Sequence, residues 1–247
     1  MKKNIIVLIS FLALILAGCN KTKDSEGVSS ITYFPEFTVN GAGEYFLNVG
    51  DPFSDPGVTA EENGVEIPVT SSVVGEFFGY SGDDVPTDMA DKYTITYSAT
   101  NSDGYDGTAT RTVWVIETGD LVTSIAGLYT STIVRNGDVG NPQYTDLEYI
   151  MISDNGDGTY NLSDAIGGYY AIGRGYGPDY AAAGLLITAN DIPGNSFSFN
   201  DPIGVGAFGG NLLITAFVVN AGAGTISFTG DWDAGYVFEV TLTQVTL

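Results

Sequence analysis

Apolar and polar positions alternate along this chain in short runs, and no stretch holds a sustained apolar face at helical spacing. Runs rich in Val, Ile, Thr, Tyr and Phe are separated by Gly, Asn and Asp turns, which predicts an all-β protein. The clearest strand of the first half is 93–100. Tyr93, Ile95, Tyr97 and Ala99 share one face, and hydroxyl residues take the other. The turn Asn101-Ser102-Asp103-Gly104 leads into a second strand over 108–116. Arg111, Val113 and Val115 fall on one side of it, Thr112, Trp114 and Ile116 on the other. Such a pair makes a hairpin with one buried face. Earlier strands are predicted at 44–49, 65–69 and 72–78, with Asn63-Gly64 supplying a positive-φ turn. Lys92 reads as a turn residue.

The second half continues in the same way. Strands are predicted at 128–134, 147–153, 159–163, 169–172, 185–189, 197–199, 212–219, 225–228 and 236–243. Within 169–172, alternation sends Tyr169 and Tyr170 to opposite faces. The run 212–219 is apolar on both faces and predicts a central, doubly covered strand. Gly204, Gly206, Gly209 and Gly210 mark loops or sharp bends. The polar stretch Glu117-Thr118-Gly119-Asp120 reads as a junction. The expected organisation is an N-terminal β-sandwich over 31–118 and a second β-sandwich or small β-barrel over 121–247.

The N-terminus follows a different pattern. Met1-Lys2-Lys3 precedes an apolar run from Ile5 to Leu16, interrupted only by Ser10. A transmembrane helix needs roughly 20 residues, so this length suits a signal-peptide core. The run ends Leu16-Ala17-Gly18-Cys19, which resembles the lipobox of bacterial lipoproteins. The resemblance implies a signal peptide over 1–18 and a lipidated Cys19 that becomes the new N-terminus. Several acyl chains on one residue give stable membrane anchoring. Residues 19–30 are polar and read as a flexible tether with a reach of roughly 20 Å. The acidic residues Asp24 and Glu26 soon after Cys19 resemble the surface-export signal of Bacteroidetes lipoproteins, which implies an outer-membrane protein facing outward.

Composition and charge narrow the chemistry. The chain carries 30 acidic and 8 basic residues, no His and one Cys, for a net charge of −22. Cleavage before Cys19 would remove Lys2 and Lys3, leaving 6 basic residues against 30 acidic ones and a charge of −24. Nucleic acid binding needs a basic face and is excluded as a function. Without His there is no Ser-His-Asp triad and no His-ligated zinc. A single Cys permits no disulfide framework. No cofactor is expected.

Val49-Gly50-Asp51-Pro52-Phe53-Ser54-Asp55-Pro56-Gly57-Val58-Thr59-Ala60 resembles the opening motif of a bacterial Ig-like family named after a domain of a pesticidal crystal protein. The stretch from Tyr93-Thr94-Ile95-Thr96-Tyr97 to Arg111-Thr112-Val113-Trp114-Val115 resembles that family's closing hairpin. The resemblance implies an Ig-like sandwich serving as a spacer. In the second half, Gly127-Leu128-Tyr129, Asp157–Asp164, Gly167-Gly168-Tyr169-Tyr170 and Tyr236–Gln244 resemble the C-terminal domain of lipoproteins from Bacteroidetes polysaccharide-utilisation loci. That likeness implies a place beside an outer-membrane glycan transporter and a glycan-capturing partner.

Three constellations could carry chemistry. The first is aromatic. The stretches 168–180 and 231–236 set Tyr176, Tyr180 and Trp232 beside Arg174 and Asp231. Sugar rings stack their CH faces on aromatic rings, and their hydroxyls bond to carboxylates and guanidinium groups. These five residues are the candidate ligand site; packing of the rings in a β core is the alternative. The Gly-flanked loop 173–177 lies outside strand periodicity and is the stronger half of it. The second is Asp154-Asn155-Gly156-Asp157-Gly158, which suggests a calcium loop but lacks the later bidentate Glu and reads as a turn. The third is a carboxylate pair, Glu148 and Glu239, of the kind that hydrolyses glycosides. Lys92 beyond the tether is too isolated to activate a serine.

Together these readings predict a lipid-anchored, non-catalytic accessory of glycan capture or uptake. Its expected partners are the membrane, a polysaccharide and a glycan transporter complex. An adhesion or structural protein with no small ligand, and a carboxylate-based hydrolase, are the competing classes.

Overall fold

The computed structural model describes residues 31–246. The lipobox, Cys19 and the tether lie outside the described residues. Among these residues no helix is long and apolar enough to cross a membrane.

The first half forms two packed sheets. Strands β1 (Glu36–Val39), β2 (Glu44–Asn48), β3 (Val58–Glu62), β4 (Val65–Ile67), β5 (Thr70–Gly75), β6 (Ser81–Gly82), β7 (Asp91–Thr100) and β8 (Asp106–Ile116) follow in order. One sheet runs β1-β3-β4 and the other β2-β8-β7-β5-β6. Tyr93, Ile95 and Tyr97 of β7 meet Val113 and Val115 of β8 and Val73 of β5 in the core between them. Asn63 and Gly64 take φ of 49° and 75° and close the β3–β4 hairpin, as expected.

The structure differs from the sequence reading at three places here. β1, β3 and β6 were not expected, because they are short, four, five and two residues, and β1 and β3 carry only two apolar positions each. Lys92 lies inside β7 rather than in a turn, paired with Glu76 at 2.6 Å. The predicted strand 72–78 stops at Gly75, because the buried Asp91 carboxylate draws the next segment out of the ladder. Asp91 Oδ1 accepts from the amides of Phe77 and Lys92, and Oδ2 from that of Phe78. A Cβ at Gly75 would collide with the same carboxylate.

The second half is one antiparallel sheet of nine strands. These are β9 (Gly127–Arg135), β10 (Leu147–Asp154), β11 (Thr159–Leu162), β12 (Leu185–Asp191), β13 (Ser196–Phe199), β14 (Ile203–Val205), β15 (Gly209–Asn220), β16 (Thr225–Trp232) and β17 (Tyr236–Gln244). Their order is β13-β12-β11-β10-β9-β17-β16-β15-β14. The sheet curls without closing. Phe197 and Phe199 of β13 reach across to Phe217 of β15, at ring distances of 4.8 and 5.6 Å. The segment 163–184 crosses the concave side and is buried there through Ala165, Ile166, Tyr169, Tyr170 and Ala182.

Three expectations fail in this half. Of the four glycines read as loops or bends, Gly204 lies inside β14 and Gly209 and Gly210 open β15. The run 212–219 is not central. It lies in β15, next to the edge strand β14, with alternate residues bare and Leu213 and Val218 45% and 50% exposed. The run 169–172 is not a strand but a single wide helical turn, Tyr169–Gly173. The Gly173 amide donates to Gly168 O and the Arg174 amide to Tyr169 O, five residues back in each case. Gly167 and Gly168 turn the chain with φ of 68° and 86°. A helical turn does not alternate, so Tyr169 and Tyr170 are both buried.

The two halves share a small core of their own. Ala90, Trp114 and Ile116 from the first pack against Leu128 and Met151 from the second. Glu117 accepts from the Asp154 amide at 2.9 Å, and Gln244 Nε2 donates to Gly119 O at 2.8 Å.

Candidate functional site

The inner-face ends of β9, β16 and β17 supply Arg135, Trp232, Tyr236 and Phe238, and the helical turn lays Tyr169 and Tyr170 across them. Tyr169 stacks on Tyr144 with ring centroids 4.1 Å apart and meets Phe238 edge-on at 5.3 Å. The Arg135 guanidinium lies 4.8 Å from the Tyr169 ring and 4.7 Å from the Tyr236 ring. Tyr170 meets Trp232 edge-on at 6.3 Å and Phe208 at 4.9 Å. This base is rigid because Tyr169, Tyr170, Trp232 and Phe238 are each held by at least two other rings.

The outer rim is exposed. Tyr176 and Phe208 are 47% and 46% exposed, and Tyr180 lies between them at 5.2 and 5.0 Å. Positive φ at Gly175 and Gly177, 66° and 89°, lifts Tyr176 out of the helical turn while keeping it 6.2 Å from Tyr170. Arg174 stands over Tyr169 and Tyr170 at 5.5 and 5.8 Å and donates through Nε to Tyr144 Oη at 3.3 Å. The hydroxyls of Tyr176, Tyr169 and Tyr144 around the guanidinium push its pKa up, so Arg174 is a fixed cation. Burial works to raise the Tyr144 phenol. The bonds from Tyr169 and Arg174, with the charges of Arg174 and Arg135, overcome it and leave that phenol below its ordinary range.

The structure therefore brings four of the five candidate residues together and leaves one out. Tyr176, Tyr180 and Arg174 form the rim. Trp232 belongs to the base rather than to the rim: it is 6% exposed, and its indole N–H donates to Gly209 O at 3.1 Å. Asp231 precedes it in β16 and is exposed on the opposite, outer face of the sheet, away from the rings. Phe208, Tyr144 and Arg135 were not foreseen. Phe208 carried a legible signal, since Gly206 and Gly209 flank it as Gly175 and Gly177 flank Tyr176. The roles of Arg135 and Tyr144 depend on contacts between distant segments and had no local signature.

The other two constellations resolve as follows. Asp154 Oδ1 accepts from the Gly156 amide, and Asp157 Oδ1 accepts from the Thr159 amide and hydroxyl. Both carboxylates serve the turn. Among the described residues no group of three metal-ligating side chains converges. Glu148 faces Thr130 on one side of β9 and Glu239 faces Val134 on the other. Four residues along a strand is roughly 13 Å, beyond the roughly 5–10 Å over which paired carboxylates cleave a glycosidic bond. That pair does not form a hydrolytic site.

Two family models match the chain. One, described as a bacterial surface protein Ig-like domain, covers residues 37–115. The other, a C-terminal domain model, covers residues 118–244. Among solved structures, the lipoprotein BT2262 from Bacteroides thetaiotaomicron is similar at 26% identity and a TM-score of 0.60, over 85% of this chain and 100% of that one. No curated protein sequence matches.

Proposed function

The chain belongs to the BT2262-like C-terminal-domain family, and from that premise we propose that it is a lipid-anchored cell-surface protein that binds glycan without cleaving it. The observation that carries the reading is the exposed pair Tyr176 and Phe208, held on a rigid aromatic base beside Arg174. Exposed aromatic rings on an immobile support present apolar area at little entropic cost. The CH face of a pyranose matches such rings, and Arg174 offers donors to ring or hydroxyl oxygens. Lipid on Cys19 and the polar tether would anchor the protein to the outer membrane, facing outward. The Ig-like half would act as a spacer, and a glycan transporter complex is the natural recipient of captured glycan. The Ig-like surface-protein model and the lipoprotein relative support the surface location.

Affinity electrophoresis tests the reading. The full chain in detergent is run through gels containing different neutral and acidic polysaccharides. At least one should retard it, and Tyr176→Ala should relieve that retardation by about tenfold in apparent affinity, roughly 1.4 kcal/mol. Equal mobility in every gel would reject glycan binding and favour an adhesive or structural role.

A further inference from the structure

We propose that the seam between the two halves is a second ligand site, built for one or two neutral, polyhydroxylated sugar rings. The exposed rings of the aromatic rim do not line it, although Gly177 and Pro178 of the adjoining loop do. The seam encloses a cavity of about 380 Å3, at the low end of the roughly 300–1,000 Å3 typical of small-molecule sites, which favour domain interfaces. Phe77, Lys92 and Trp114 line it from the Ig-like half, and Tyr149, Asp164 and Pro178 from the other.

The lining discriminates between ligand classes. Glu76, Glu148 and Asp164 place three carboxylates against the single ammonium of Lys92, which disfavours an anion. An organic cation would look for the Trp114 ring. That place is taken: Lys92 Nζ stands 5.4 Å over the ring and pairs with Glu76. A hydrocarbon would leave the lining carboxylates of Glu76 and Glu148 without donors, and Asp164 is buried behind them. Its Oδ1 accepts from the Ile166 and Ala182 amides, at 2.9 and 3.2 Å, while Oδ2 has no hydrogen-bond partner although it is buried. The cost shows in the acidity of the group. Burial pushes the Asp164 carboxyl up to about 6, against the lowering pull of the Ile166, Ala182 and Gly168 amides. A ligand that fits brings hydroxyl donors for the lining carboxylates of Glu76 and Glu148 together with an apolar face for Phe77 and Tyr149. Both rings are half-buried, and Tyr149 stands edge-on to Trp114 at 5.4 Å. A neutral sugar ring has both properties; sulfate and benzene each lack one, and choline carries a cation whose place over Trp114 is held by Lys92.

Calorimetric titration of the full chain in detergent tests this, using glucose, mannose, xylose, N-acetylglucosamine and their common disaccharides, with choline, sulfate and benzene as the contrasting probes. At least one neutral sugar should bind with one-to-one stoichiometry. Its affinity should fall at least tenfold in Ala183→Trp, which fills the cavity from an exposed lining position. It should persist in Tyr176→Ala and Phe208→Ala, which act on the rim alone. The proposal is overturned if no neutral sugar binds, if choline, sulfate or benzene binds more tightly, or if Ala183→Trp leaves affinity unchanged. Sugar binding lost only in Tyr176→Ala or Phe208→Ala would assign the ligand to the rim and overturn the seam site. Sugar binding lost only in Ala183→Trp would uphold the seam and reject the rim.

Discussion

Arg111 shows how much one residue can organise. It sits in the core face of β8 at 1% exposure, where a charge is costly unless it is fully paired. It is paired with Asp55, bonds the Tyr97 hydroxyl at 2.7 Å and donates to the carbonyls of Asn40 and Ala42. Tyr97 Oη also donates to Asp55 at 2.7 Å. Asp55 belongs to the Asp-Pro-Gly step of the opening motif, so this network ties that loop to the closing hairpin. Removing one partner leaves a buried charge exposed to the apolar core. Asp55→Ala is expected to cost about 3–5 kcal/mol in urea unfolding. Glu76→Ala, which breaks the partly exposed pair with Lys92, is expected to cost under about 1 kcal/mol. Similar costs for the two would contradict this ranking. Asp164 gives a second residue-scale test. Its raised pKa means that the folded protein holds a proton more tightly than the unfolded chain between about pH 4 and 6. The stability this proton confers is full below about pH 4 and is lost as pH rises through about 6. Asp164→Asn should flatten that dependence and stabilise the protein at pH 8 by up to roughly 3 kcal/mol. An unchanged pH profile in urea titrations would show that Asp164 does not titrate in this window.

At the scale of elements, alternation was a reliable guide wherever one face of a strand is buried. β7 and β17 were legible because Tyr93, Ile95 and Tyr97, or Phe238, Val240 and Leu242, stand on a single face, whereas only the first half of β16, 225–228, was read from the sequence. It misled where tertiary context overrides the local pattern. Tyr169-Tyr170-Ala171-Ile172 has strand composition, yet two preceding glycines in left-handed conformations start a helical turn. β15 reads as doubly buried, yet its outer face keeps Leu213 and Val218 exposed, because apolar residues do not by themselves report a covering layer. Of the candidate site, the Gly-flanked Tyr176 and Arg174 were visible in sequence. The separation of Asp231 was hidden, because it depends on which face Trp232 takes. The glycine step itself is testable. Gly167 has φ of 68°, and a Cβ there would lie 2.6 Å from Ser131 Oγ and 2.7 Å from Val240. Gly175 has φ of 66° but open space around it. Gly167→Ala should destabilise by about 2–4 kcal/mol and Gly175→Ala by about 1 kcal/mol. Thermal unfolding of the two variants decides it, and equal shifts would place the strain elsewhere.

At the scale of the molecule, the junction does more than connect. Trp114 stacks beside Phe46 at 6.1 Å and meets Tyr149 of the other half at 5.4 Å, while Ile116 packs on Leu128 and Met151. Asp120 caps the turn that follows by accepting from the amides of Thr123, Val122 and Ser124, which hold its carboxyl down to about 2. An Ig-like half bonded in this way holds the second half through packed side chains and hydrogen bonds rather than through a loose hinge. The claim on which the functional account rests is that the rim binds glycan through Tyr176 and Phe208. Its most direct test is the dissociation constant for a polysaccharide that retards the protein, measured by calorimetry on the full chain and on the double variant Tyr176→Ala, Phe208→Ala. The account predicts a loss of about a hundredfold, roughly 2.8 kcal/mol for the two rings, with the unfolding temperature unchanged. An unchanged dissociation constant in the double variant would contradict it.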